Sequence, residues 1–170
     1  MRCLFQLTAM VLAGLTCGLL LGSQPTAAQI VLMERNVSLQ MARLIADGVI
    51  EHCAKDGYDV SVVVVDRLGQ VRLMMRGDKA SPHNAELARR KAYTARTFRR
   101  SSADWAKRTA ETPELAPQRN LAEVIALGGG VPINVGDDTI GGVGVSGAPG
   151  QDKDEACAKA GVARVADQLR

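Results

Sequence analysis

Apolar residues recur with helical spacing near the start of the chain, from residue 39 to about residue 55. This spacing predicts an amphipathic helix. Ser38 can cap its N-terminus, and Gly57 stands where a left-handed residue would end it. Gly48 lies inside the helix at a cost of about 1 kcal/mol relative to alanine, which indicates close packing on a flat neighbour. The apolar positions are Ala42, Ile45, Val49 and Cys53.

The pattern then changes from helical to extended. Residues 60–65 are β-branched and almost wholly apolar, which is typical of a strand covered on both faces. The sequence DRLG follows as a turn, and residues 70–75 return as the second strand of a hairpin.

Two helices are predicted in the middle of the chain. Ser81 can cap a helix that begins at Pro82 and runs to about residue 100. Ser101 can cap a shorter helix that ends near Ala110. Pro113 and Pro117 bracket the loop that follows.

The last third predicts three strands and a terminal helix. The strands are residues 121–127, 130–135 and 139–146, separated by glycine-rich turns, and the helix covers residues 151–170. This order lacks the regular alternation of a parallel sheet. The prediction is an α+β single domain: a five-stranded antiparallel sheet flanked by helices on its faces.

Gly142, Gly144 and Gly147 have the G-x-G-x-x-G spacing of dinucleotide-binding loops. That site also needs a second parallel strand carrying an acid, but Asp167 falls within the predicted final helix. Gly142 and Gly144 alternate with valines, so they belong inside a strand and leave one face bare. A helix or a flat ligand can approach such a face closely.

The first 28 residues resemble a secretory signal peptide. Arg2 is followed by an apolar run from 4 to 21, and Ala27-Ala28 precede a cleavage site before Gln29. A membrane anchor and lipid modification at Cys17 are the alternatives. Cleavage predicts a periplasmic or secreted protein that is not integral to the membrane, with an extension at 29–37 and a domain at 38–170.

Export to an oxidising compartment would allow the cysteines of the mature chain to form a disulfide. Two of the four leave with the leader, and Cys53 and Cys157 remain. An even pair in an oxidising compartment predicts a disulfide, with two buried thiols as the alternative.

Charge alone implies no partner, since 21 Lys and Arg face 18 Asp and Glu. Residues 89–108 hold eight basic side chains against the single acid Asp104. Such a run suggests nucleic acid, but export argues against it. A solvated face or a subunit contact explains the run better.

Several stretches together resemble the GlcG/HbpS-type haem-binding proteins: VSVVVVDRLGQVRLMMRGD, ARRKAYTARTFRR, GGGVPI and IGGVGVSGAPGQDKDEACAKAG. The C-terminal domain of PduO-type corrinoid adenosyltransferases is similar. The resemblance implies a profilin-like or GlcG-like fold, homo-oligomeric assembly and, in several members, haem binding. Positions matching the family pattern are Asp66, Gly69, Asp78, Ala88, Lys91, Ala92, Thr94, Ala95, Gly129, Pro132, Gly141, Gly144, Ser146, Gly147 and Asp154.

His83 is the candidate haem ligand. Arg90, Lys91 and Thr94 follow it at offsets that keep all four on one helical stripe. An imidazole can ligate haem iron, and the cations can meet its propionates. Tyr93 and Thr94 are other possible oxygen donors. The alternative for His83 is a solvated first-turn side chain.

Three functions remain open: a haem-binding or haem-handling protein, a cofactor-free oligomeric accessory or sensory partner in the periplasm, and a haem-degrading enzyme. His52 lies near a helix end, where bonding to a carbonyl explains it. No nucleophile has a recognisable base partner, and the two histidines and two distant cysteines lack the spacing of a zinc site.

Overall fold

The structure is a computed structural model, and it describes residues 31–170. The predicted signal peptide at 1–28 and its cleavage site lie outside the described residues. Residues 34–170 form one compact unit. No helix within residues 31–170 combines the length and apolar character needed to cross a bilayer.

The unit contains four α-helices and four strands among the described residues. The helices are α1 (Leu39–Lys55), α2 (Asn84–Phe98), α3 (Ser102–Glu111) and α4 (Gln151–Ala163). The strands are β1 (Ser61–Val65), β2 (Val71–Arg76), β3 (Gly130–Val135) and β4 (Asp138–Ser146). Short 3₁₀ helices cover Pro113–Asn120 and Ala166–Gln168.

The strands form one antiparallel sheet in the order β2-β1-β4-β3. In the register of β1 and β4, Val63 lies opposite Gly144 and Val65 opposite Gly142. Gly142 and Gly144 are therefore inside a strand that has antiparallel neighbours on both sides. This arrangement differs from the parallel strands of a dinucleotide-binding unit.

The predicted strand at 121–127 is wrong, so the described sheet has four strands and not five. This segment hydrogen-bonds to α2 instead of to another strand. The Ile125 N–H donates to Thr94 Oγ1 at 2.9 Å, and the Val124 carbonyl accepts from Arg90 at 2.5 Å. Glu123 has a φ of 71°, which interrupts any extended run.

α1 has the predicted bounds and caps. Ser38 Oγ accepts a hydrogen bond from the Met41 N–H at 3.1 Å, and Gly57 ends the helix region at a φ of +75°. Gly48 faces α4, where an added Cβ would lie 3.2 Å from the Cα of Gly161. The flat neighbour is thus a second helix that also carries a glycine.

α1 and α4 cover one face of the sheet and enclose the larger apolar core. Alternate β1 residues Val62 and Val64 point into this core. The predicted disulfide is confirmed: Cys53 of α1 and Cys157 of α4 are bonded, with their Cα atoms 5.7 Å apart. It ties the two helices over the sheet.

α2 covers the other face, and it does so through backbone contact. A Cβ at Gly144 would lie 2.0 Å from the Ala88 carbonyl oxygen, and one at Gly142 would lie 2.6 Å from that of Ala92. The bare face of β4 therefore receives a helix and not a flat ligand. Val63 and Val65 pack here with the two alanines, so β1 is buried on both faces as predicted.

The smaller differences between the predicted and the observed fold are at the ends of the helices. α2 begins at Asn84, with His83 at the N-cap position and Ser81 contributing only its carbonyl to the Asn84 N–H. Ser101 caps α3 by accepting from the Asp104 N–H at 3.1 Å, as predicted. α4 ends at Ala163, before the predicted terminus of the chain's last helix.

Candidate functional site

A cleft of about 380 Å³ lies where the N-terminus of α2 meets the end of β4 and the start of α4. Its volume falls in the range of small-molecule sites. Its lining is mainly polar, with Leu87 as the largest apolar side chain. The lining residues are Ser81, His83, Asn84, Leu87, Lys91, Ser146, Gly147, Ala148, Gly150, Gln151 and Asp154.

Two glycines shape the wall formed by the β4–α4 connection. Gly147 and Gly150 have φ values of +136° and +139°, which side chains rarely adopt. A Cβ at Gly147 would also lie 2.9 Å from the Asp59 carbonyl oxygen. The chain can therefore turn from the strand into α4 within four residues and leave the cleft open.

His83 lies at the mouth of the cleft. It is exposed, and its side chain makes no capping bond to α2. Behind it Asn84 is buried, and Asn84 Oδ1 accepts a hydrogen bond from Ser146 Oγ at 3.4 Å. The imidazole is thus free to meet a ligand that enters from solvent.

The floor of the cleft is a buried ion pair. Lys91 Nζ donates to Asp154 Oδ2 at 2.7 Å and to the Val145 carbonyl at 2.9 Å. The Ala148 N–H donates to the other carboxylate oxygen at 3.0 Å. The pair links α2 to the start of α4. Through the Ala148 N–H, Asp154 also fixes the glycine-rich segment that connects β4 to α4.

Burial raises the pKa of Asp154, because the carboxylate loses its hydration. The hydrogen bond and charge of Lys91 act in the opposite direction. Since the charge of Lys91 is already compensated, the pair presents little net charge to a ligand.

The predicted stripe of four residues divides into two parts. His83 and Lys91 line the cleft together. Arg90 and Thr94 instead contact the 121–127 segment, where Thr94 Oγ1 also donates to the Arg90 carbonyl at 2.8 Å. Tyr93 lies elsewhere again, against Gly69. The assignment of His83, Arg90, Lys91 and Thr94 to a haem site stays a prediction.

Sequence reasoning missed the partnership of Lys91 with Asp154, which are 63 residues apart. Both residues match the family pattern. Helical periodicity placed Lys91 on the stripe with His83, and Asp154 was named only as a position of the family pattern. That pattern was the available signal because it includes both residues, but nothing in their spacing along the sequence indicates that they form a pair.

The HbpS-like family profile, described as "Haem degrading protein HbpS-like", matches residues 37–163. The chain belongs to the HbpS-like family. The match extends from just before α1 to the end of α4, so it includes the whole sheet, the cleft and the disulfide.

Relatives of this HbpS-like chain agree with the assignment. Protein GlcG of Escherichia coli K12 is 34% identical over 115 residues, which cover 65% of this chain and 81% of GlcG. A double mutant of HbpS from Streptomyces reticuli is 36% identical, with a TM-score of 0.75, over 83% of this chain and 96% of that one. The haem complex of PduOC shares the fold at 23% identity, with a TM-score of 0.68, over 76% and 95% of the two chains.

The described part of the chain has few side chains grouped so that they could bind a metal ion. Within residues 31–170, no three His, Cys, Asp or Glu side chains converge as a metal centre.

Proposed function

We propose that this HbpS-like protein is an exported, non-catalytic haem-binding or haem-handling protein, with His83 as the axial ligand. The observation that carries the proposal is the exposed imidazole at the mouth of a cleft in a member of a haem-related family. Imidazole is a common axial donor to haem iron.

The cleft residues fit part of a haem. His83 would supply the nitrogen donor, and Leu87 and Ala148 are apolar residues of the lining that could contact the macrocycle. The Lys91–Asp154 pair is neutral overall, so propionates would meet polar donors or remain in solvent. Bound haem would supply a coloured iron centre, while the protein would fix its position and limit access to the iron.

Haem titration tests the assignment of His83. We expect wild-type protein to give a Soret band that saturates with added haemin, and His83→Ala to bind at least tenfold more weakly with a shifted band. His52→Ala is the matched control, because His52 is the other histidine of the described chain and lies in the last turn of α1.

Three results would contradict the proposal. Identical spectra and affinities for all three proteins would remove His83 from the site. No saturable band in wild type would favour the cofactor-free oligomeric accessory. Loss of haem with release of iron, in the presence of a reductant or peroxide, would instead identify a haem-degrading enzyme, as the family description suggests.

Export and assembly are tested separately. N-terminal sequencing of protein recovered from the periplasm should begin at Gln29. Light scattering after size exclusion should give a mass of at least two mature chains, whereas the mass of one chain would contradict the proposed homo-oligomer.

A further inference from the structure

A second cleft, of about 260 Å³, lies at the other end of α2. Its walls are the β1–β2 turn and the last turns of the helix, and its lining residues are Arg67, Leu68, Gly69, Tyr93, Arg96 and Thr97. His83 and Arg96 are 13 residues apart, which corresponds to about 20 Å along a helix. The second cleft is therefore separate from the His83 cleft.

Arg67 brings a positive charge to this cleft, but that charge is already paired. Its Nη1 donates to both carboxylate oxygens of Asp138, at 2.8 and 2.9 Å, and its Nε lies 3.3 Å from Glu34. Asp66 is similarly engaged, since it accepts from the backbone of the turn and forms an ion pair with Arg72. The nearby acids thus have partners.

Arg96 is different. It is half-buried, and its Nε donates to the Arg67 carbonyl at 2.5 Å. Within residues 31–170 its two terminal nitrogens make no hydrogen bond and no salt bridge. A helix C-terminus favours a cation near its own carbonyls, but Arg96 is bonded to the turn and not to α2.

Other cations increase the electrostatic cost at Arg96. Burial, and after it the neighbouring charges of Arg67 and Arg99, lower the pKa of Arg96, while Asp138 and Asp66 oppose this shift only in part. Arg99, which ends α2, is exposed and forms no salt bridge within the described residues. An oxyanion bound at Arg96 would offset this repulsion and accept hydrogen bonds from the unused terminal N–H groups of Arg96.

We propose that this cleft binds a small ligand through a carboxylate or phosphate group held by Arg96, with Arg99 as a second cation. The planar guanidinium fork matches both oxyanions and forms two parallel hydrogen bonds with either.

The rest of the cleft indicates the shape of the ligand. The Tyr93 ring packs on the turn, and a Cβ at Gly69 would lie 2.7 Å from it. Gly69 therefore allows the ring to form the cleft wall. Leu68 stands beside it, 73% exposed. An aromatic or other flat apolar group attached to the oxyanion would contact both side chains.

Calorimetric titration of the mature protein tests the site, with inorganic phosphate, benzoate and acetate as probes at constant ionic strength. We expect Arg96→Gln to weaken binding of the responding probe at least tenfold. Arg43→Gln is the matched control, because it removes the same charge from an exposed position of α1; we expect less than a twofold change. Arg99→Gln should weaken binding severalfold.

The probes distinguish two sources of the oxyanion. Benzoate binding tighter than acetate would support an aromatic carboxylate, whereas binding of phosphate alone would support a phosphate compound. Arg96→Lys keeps the charge without the fork and should bind with intermediate affinity, so the site remains testable if Arg96→Gln misfolds.

Several outcomes would overturn the site. They are no saturable heat from any probe, or the same loss in Arg43→Gln as in Arg96→Gln. A change of oligomeric mass in Arg96→Gln with unchanged probe binding would show that Arg96 meets acids of a second copy. None of these results depends on whether haem binds at His83.

Discussion

The two faces of the sheet are covered in different ways. On one face, α1 and α4 bury a large cluster of valine and isoleucine side chains and are joined by Cys53–Cys157. On the other, α2 packs against Gly142 and Gly144, and only four small apolar residues form the buried cluster. Packing on the first face is dominated by buried apolar side chains. Packing on the second face depends on the close approach of the α2 and β4 backbones.

This difference has a functional consequence. Both candidate clefts lie along α2, one at each end, and both use polar or charged side chains of that helix. The close contact with β4 is made at Ala88 and Ala92, which leaves longer side chains of the helix region, such as His83 and Arg96, to line the clefts.

Removing the amine of the buried ion pair should have the largest effect on the α2 face. We expect Lys91→Met to lower the free energy of unfolding by about 4 kcal/mol at pH 7, because the carboxylate of Asp154 stays buried without a partner. Urea denaturation measures the loss. Lys159→Met is the control, since that lysine is exposed and should contribute less than about 0.5 kcal/mol.

The same variant predicts a pH dependence with a definite sign. Burial already raises the pKa of Asp154, and removal of Lys91 should raise it further. In the folded variant Asp154 then takes up a proton at a pH where the same carboxylate in the unfolded chain stays ionised. Its deficit relative to wild type should shrink as the pH falls through this raised pKa, and a constant deficit would contradict the assignment.

Removing the disulfide tests the α1–α4 face. We expect Cys53→Ala with Cys157→Ala to lower the free energy of unfolding by about 3 kcal/mol, because the bond closes a long loop in the unfolded chain. Wild-type protein unfolded in a reductant should show a similar loss. An equal free energy of unfolding with and without the bond would mean that the apolar core alone stabilises this face.

Adding a methyl group to β4 tests the backbone contact directly. We expect Gly144→Ala to cost about 2 kcal/mol or more, because the new Cβ meets the Ala88 carbonyl and α2 must move. Gly136→Ala is the control; an added Cβ there has open space and only the positive φ to oppose it. A Gly144→Ala variant no less stable than this control would contradict the close contact.

The smallest expected change is a gain. Arg99 ends α2 with a φ of 54°, a conformation that costs a residue with a side chain about 1 kcal/mol relative to glycine. We expect Arg99→Gly to raise the free energy of unfolding by about that amount while weakening oxyanion binding at Arg96. Greater stability with unchanged binding would remove Arg99 from the proposed site.

Much of the fold could be predicted from local patterns. The bounds of α1 follow from Ser38, the apolar spacing and Gly57, all of which act within the helix itself. The hairpin of β1 and β2 follows from β-branched residues around a turn. The disulfide followed from the even number of cysteines outside the predicted signal peptide.

The errors and omissions concern partners distant in sequence. Residues 121–127 are apolar enough for a strand, but their backbone bonds to Arg90 and Thr94 of α2. The pairing of Lys91 with Asp154 likewise depends on how α2 meets the loops. So does the environment of Arg96, whose terminal nitrogens have no hydrogen-bond partner within residues 31–170. Helical periodicity identifies which residues share a face but not what lies opposite them.

The disulfide between α1 and α4 would keep the protein in one piece after a protease cuts the chain between the two cysteines. The peptide segments that separate Cys53 from Cys157 include the 3₁₀ helix and the 121–127 segment. A protease that nicks the chain anywhere between these cysteines leaves two fragments still attached to each other. They would separate on a gel only after reduction.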